Sequence, residues 1–113
     1  MSKITIAKAG GTWTVRAGGA VIGESQNALE LTEEGYPPVT YFPREDIATA
    51  LLDPSSHATD CPHKGTASYY SIATKSRTIE NAAWSYEAPH ADVSDIKDHL
   101  AFLSSDLVTV ERV

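Results

Sequence analysis

The chain has 113 residues, 42% of them hydrophobic and 21% charged, which suits one globular domain spanning 1–113 and excludes intrinsic disorder. Its formal charge is −6, and the nine basic residues are spread along the chain rather than gathered in a stripe; nucleic acid is therefore not an expected partner, since phosphate backbones are held by clustered cations. No apolar run approaches the roughly 18 residues of a membrane span, Met1-Ser2-Lys3-Ile4 opens without the apolar stretch of a signal peptide, and the single Cys61 has no disulfide partner, so no membrane contact and a cytoplasmic location are expected.

The first third reads as strands. Thr12 to Ala17 alternates polar and apolar residues, the period of a half-buried strand. Gly18-Gly19 then separates it from Ala20-Val21-Ile22-Gly23-Glu24, and two glycines suit a tight hairpin whose central residues both need positive φ. That turn pairs Ala17 with Ala20, Val15 with Ile22 and Trp13 with Glu24. Ala28 to Leu31 is a third, shorter strand, and Glu33 to Pro38 a turn-rich loop. Val39 to Phe42 is extended. Pro43 suits the first turn of a helix through Arg44 to Leu52, with Ile47, Leu51 and Leu52 as its buried stripe, closed by Asp53-Pro54.

A polar loop is expected from Ser55 to Lys64, then a strand from Gly65 to Ile72, a turn at Lys75-Ser76-Arg77 and a strand from Thr78 to Trp84. Asp92 or Ser94 could cap a short helix through His99. Leu100 to Leu103 and Val108 to Val113, joined by Ser104-Ser105-Asp106, read as a closing hairpin. Many short strands with one or two short helices predict a β-dominated α+β domain.

Three segments are distinctive: Gly35 to Asp46 (GYPPVTYFPRED), Cys61 to Tyr70 (CPHKGTASYY) and Asn81 to Glu87 (NAAWSYE). In this order and spacing they resemble the bacterial family known as domain of unknown function 427, over nearly the whole chain. One departure is His63, where the family pattern usually carries tyrosine. The resemblance implies a compact fold of two antiparallel sheets, related to the β-tent or Mss4-like architecture, and the family's label implies nucleotidyl transfer. Some relatives of that architecture hold zinc with two cysteine pairs; one cysteine cannot supply that site.

Nucleotidyl transfer needs carboxylates that hold divalent metal beside the phosphates. No expected strand carries an Asp-x-Asp or Asp-x-Glu pair on one face, and Glu45-Asp46 point apart. Those two carboxylates suit a helix N-terminus, whereas Arg44 opposes the helix dipole and needs a carboxylate of its own chain or an anionic ligand. His57, Cys61 and His63 are potential soft metal ligands whose fourth partner would have to come from elsewhere, such as Asp60, His90 or Glu87, and no metal site is assigned. Cys61 could instead be a nucleophile activated by His63 or Lys64, or an inert buried thiol. Lys64-Gly65-Thr66 offers a cation, an open backbone amide and a hydroxyl to an oxyanion.

The aromatics Tyr36, Tyr41, Tyr69, Tyr70, Trp84 and Tyr86 fall in the same three segments. Period-two alternation sends Tyr69 and Tyr70 to opposite faces of their strand. Together these residues predict one pocket for a small, anionic molecule, lined by Tyr41, Arg44, Lys64, Tyr69, Trp84 and Tyr86. Cys61 and His63 stand at its edge, and Glu45 or Glu87 serves as acid or base. No cofactor is specified. An enzyme centred on Cys61, a protein-interaction module presenting its aromatics, and a homodimer joined through an edge strand are the alternatives the sequence leaves open.

Overall fold

A computed structural model describes residues 3–113. Met1 and Ser2, the head of the stretch read above as lacking a leader, lie outside the described residues. Among the described residues ten strands form three antiparallel sheets, with helical structure confined to short 3₁₀ turns. The β-dominated, antiparallel character follows the expectation; the sheets number three instead of two. No helix among the described residues is long and apolar enough to cross a membrane.

The first sheet has β1 (Ile4–Lys8), β4 (Leu29–Glu33) and β5 (Val39–Tyr41), in the order β1-β4-β5. The second joins β2 (Trp13–Ala17), β3 (Ala20–Ser25) and β10 (Val108–Arg112), in the order β10-β2-β3. The third runs β6 (Leu52–Cys61), β7 (Gly65–Ala73), β8 (Thr78–Ser85) and β9 (Ala101–Phe102).

The Gly18-Gly19 hairpin forms as expected, with φ of 57° and 86° and Ala17 opposite Ala20. Beyond it a bulge at Val15/Arg16 shifts the register, so that Val15 faces Gly23 and Trp13 faces Ser25. The expected pairs Val15–Ile22 and Trp13–Glu24 are thus each displaced by one residue. Gly23 sits in this position because a Cβ there would collide with Ile47 Cδ1 and lie 3.0 Å from Val15 Cγ1.

The helix expected over Arg44 to Leu52 is absent. Two 3₁₀ turns, Arg44–Asp46 and Thr49–Leu51, flank Ile47, which is extended (φ −112°, ψ 142°) and forms a β-bridge to Gly23. A helix of that length is marginal in isolation, and bridging buries Ile47 against β2 and β3 while Leu51 stays exposed. The polar loop expected from Ser55 is largely β6, an edge strand with few apolar residues. Pro54 is tolerated there because an edge strand need not donate every N–H. The expected closing hairpin is also replaced: β9 pairs with β8 and β10 with β2.

Two clusters form the core. One gathers Val15, Ala17, Ile22, Phe42, Ile47, Ile72, Ala82, Ala83, Leu100, Phe102 and Val108; the other Leu31, Tyr41, Ala67, Tyr86, Val93, Ile96 and Ala101. Paired residues of the third sheet divide between them, although Ala82 and Ala83, which follow the positive-φ Asn81, both join the first. Tyr70, Ala83 and Phe102 pack on the first cluster, and Tyr69, Trp84 and Ala101 on the second. The four-stranded sheet therefore stands between the two, as period-two alternation requires of a sheet covered on both faces.

Candidate functional site

A cleft of about 530 Å³ lies between the β4–β5 connection and the β6–β7 turn. Leu31 and Glu33 come from β4, Tyr36 to Pro38 from the connection, Val39 from the start of β5, and Cys61 to Lys64 from the end of β6 and the turn. One wall is stiff because Pro37 and Pro38 fix their own φ, behind a turn closed by the Tyr36 N–H donating to Glu33 O at 2.9 Å. The other wall is anchored from behind. Gly65, at φ 116°, brings the chain so near residues 88–90 that a Cβ would lie 3.3 Å from Ala88 O, and the His90 N–H donates to Lys64 O at 3.0 Å.

The polar end of the cleft is an ion pair. Lys64 Nζ donates to Glu33 Oε1 at 3.2 Å, with the side chains only 14% and 10% exposed. Lys64 also lies 5.9 Å from the centroid of the Tyr86 ring. Burial works to lower the Lys64 pKa, but the hydrogen bond to Glu33 and the charges of Cys61, Glu33 and Tyr41 raise it on balance. Lys64 is thus held as a cation. Tyr41 and Tyr86 are both buried. Loss of water pushes Tyr41 up to about 12, against the hydrogen bond from Trp84, and pushes Tyr86 up to about 12, reinforced by Cys61, Tyr69 and Glu33. Both phenols stay neutral across the ordinary pH range.

The expected single pocket is divided. Cys61, His63 and Lys64 line the cleft; His63, at the position where the resembling pattern has tyrosine, is exposed on its lip. Arg44 belongs to a separate cluster. Its Nε donates to Asp98 O at 2.9 Å, and its Nη2 to Ser85 Oγ at 3.0 Å and Glu87 Oε2 at 3.2 Å. The guanidinium lies 5.6 Å from the Tyr70 ring centroid, and the Tyr70 hydroxyl donates to the same Glu87 oxygen. Burial and that hydrogen bond raise the Tyr70 pKa.

Trp84 lines a second hollow, of about 330 Å³, and its Nε1 donates to Tyr41 Oη at 3.3 Å. Tyr69 lies in a row of rings, 4.5 Å from His57 and 6.2 Å from Trp84 between centroids, and its hydroxyl shares a 3.2 Å hydrogen bond with Thr59. Glu45 is exposed on the first 3₁₀ turn and lines neither hollow. Among the described residues, no group of three or more His, Cys, Asp and Glu side chains converges as a metal site; His57 packs edge-on against Tyr69 while Cys61 and His63 face the cleft.

Glu33 is the residue that sequence reasoning missed. Its partner lies 31 positions away, and nothing local marks it beyond a place at the start of a turn. Pro37-Pro38 is legible as part of a turn-rich loop, though not as a cleft wall.

No curated protein matches the sequence. Residues 5–113 match the family model described as a domain of unknown function (DUF427), the family already suggested by the Gly35, Cys61 and Asn81 segments. The protein belongs to the DUF427 family.

Proposed function

We propose that the domain binds a small organic molecule in the cleft between the β4–β5 connection and the β6–β7 turn. The observation that carries this reading is the shielded Lys64–Glu33 pair closing a mainly apolar cleft of about 530 Å³, a size and polarity typical of ligand pockets. Leu31, Tyr36, Pro37, Pro38 and Val39 would face the apolar body of the ligand. Lys64 has donors beyond the one given to Glu33, and Glu33 keeps acceptor capacity. A head group with a donor beside an acceptor, such as a carboxamide or a zwitterion, fits the pair better than a bare anion, whose charge would also meet Glu33.

Thermal-shift measurements with amino-acid amides, free amino acids and simple carboxylates test this. Amides or zwitterions raise Tm in the natural protein, and the shift is lost in the double variant Glu33→Gln/Lys64→Met, which removes both charges without stranding one. Arg44→Ala leaves the shift in place. Shifts that survive the double variant would place binding elsewhere.

A second reading is thiol chemistry at Cys61, favoured by its position in the same cleft beside the Lys64 cation. Alkylation rates across pH decide it: a thiol that reacts only in the range of a model peptide is no nucleophile.

A further inference from the structure

The hollow that takes Trp84 is built by all three sheets: Glu30 and Thr40 come from the first, Trp13 and Val110 from the second, and Trp84 and Phe102 from the third. Trp13 and Trp84 are the only tryptophans in the chain. Both indole N–H groups are already used, Trp13 Nε1 donating to Gly10 O at 2.9 Å and Trp84 Nε1 to Tyr41 Oη at 3.3 Å. What the indoles have left for a ligand is π-surface, which carries partial negative charge.

Glu30 is half-buried on β4 and lines this hollow. Among the described residues its carboxylate takes part in none of the ion pairs, which are Arg16–Glu111, Arg44–Glu87 and Lys64–Glu33. No lysine or arginine lines the hollow. A carboxylate lining the same hollow as two indoles, in no ion pair among the described residues, in a protein of net charge −6, calls for a positive ligand. The volume, about 330 Å³, is at the small end for ligand sites.

We propose that this hollow is a second binding site, for an organic cation with a methylated ammonium group. The cation lies against the faces of Trp13 and Trp84, and Glu30 supplies the counter-charge. The hollow adjoins the cleft across Pro38 and Val39, which line both, but shares none of Glu33, Cys61 and Lys64 with it, and its test does not depend on that reading.

Because both tryptophans line the hollow, intrinsic fluorescence reports on it directly. Choline chloride is titrated against sodium chloride of equal ionic strength, and against the neutral alcohol in which carbon replaces the choline nitrogen. Choline changes the emission saturably, and the neutral alcohol binds about tenfold more weakly or less well still, the margin expected of a partly desolvated cation–π and carboxylate contact. Glu30→Gln, on a half-exposed strand position, weakens choline about tenfold and leaves the alcohol unchanged; Glu24→Gln, which removes an exposed carboxylate that lines neither hollow, alters neither. The proposal is overturned by a choline response that does not saturate, by equal binding of the neutral alcohol, or by undiminished affinity for choline in folded Glu30→Gln.

Discussion

Burial pushes Tyr41 and Tyr86 each up to about 12 from an ordinary 10.0, which ties the stability of the fold to alkaline pH. The unfolded chain gives up these protons first, so between pH 10 and 12 the folded state holds more protons than the unfolded one, and stability falls as pH rises. The contribution is fully present below pH 10 and is lost on the way to 12. For each buried phenol a rise of this size corresponds to roughly 2–3 kcal/mol. Lys64, also raised, adds to the same alkaline loss. Urea denaturation across this range should show stability dropping steeply above pH 10, with tyrosinate absorbance lagging behind that of free tyrosine. In Tyr41→Phe the drop is smaller. A flat profile would mean that the two phenols are wetter than their burial indicates.

At the level of elements, Arg44 fastens the 3₁₀ turn after β5 to the chain that follows β8. Of its contacts, the ion pair with Glu87 is partly exposed, at 33% and 41% for the two side chains, and such pairs contribute little. The contact with Ser85 matters more, because Ser85 is fully buried and would be left without this donor. Arg44→Ala is expected to cost about 1–3 kcal/mol. Arg44→Lys recovers only part of it, since an ammonium lacks the planar fork that serves Asp98 O and Ser85 together. Chemical denaturation with an unchanged m-value is the measurement; full recovery by lysine would show that charge alone is at work.

Which elements the sequence revealed follows from how each is stabilised. The Gly18-Gly19 hairpin was legible because its turn is local and demands positive φ. Its register was not, because the Val15/Arg16 bulge has no local mark. The β6 strand was hidden because its sequence, LDPSSHATDC, is polar and mostly exposed, without the apolar alternation or the run of β-branched and aromatic residues that marks a strand in a sequence. The segment after Pro43 reads as helix by composition but is held in turns by the long-range bridge from Ile47 to Gly23. The candidate site divides in the same way. Cys61, His63 and Lys64 are neighbours on one turn and could be found together, whereas Glu33, Trp13 and Glu30 reach their hollows only through strand pairing.

The whole molecule has a radius of gyration of 13.4 Å, close to the roughly 13 Å expected of a chain this long condensed into one body. Because the four-stranded sheet packs on one cluster through Tyr70, Ala83 and Phe102 and on the other through Tyr69, Trp84 and Ala101, neither cluster can melt without exposing strands the other needs. Tryptophan emission and far-ultraviolet circular dichroism should therefore give coincident denaturation curves, the signature of a single cooperative transition. Two separated transitions would show that the clusters hold together independently.

That middle sheet carries Ala67, Ala82, Ala83 and Ala101, all at most 3% exposed. A methyl group is the thinnest spacer a side chain can provide, so these alanines determine how near the outer layers approach the strands they cover. Each larger side chain introduced there would act as a wedge between layers, and since the two hollows are bounded by those same layers, the width of both would be set by residues that line neither.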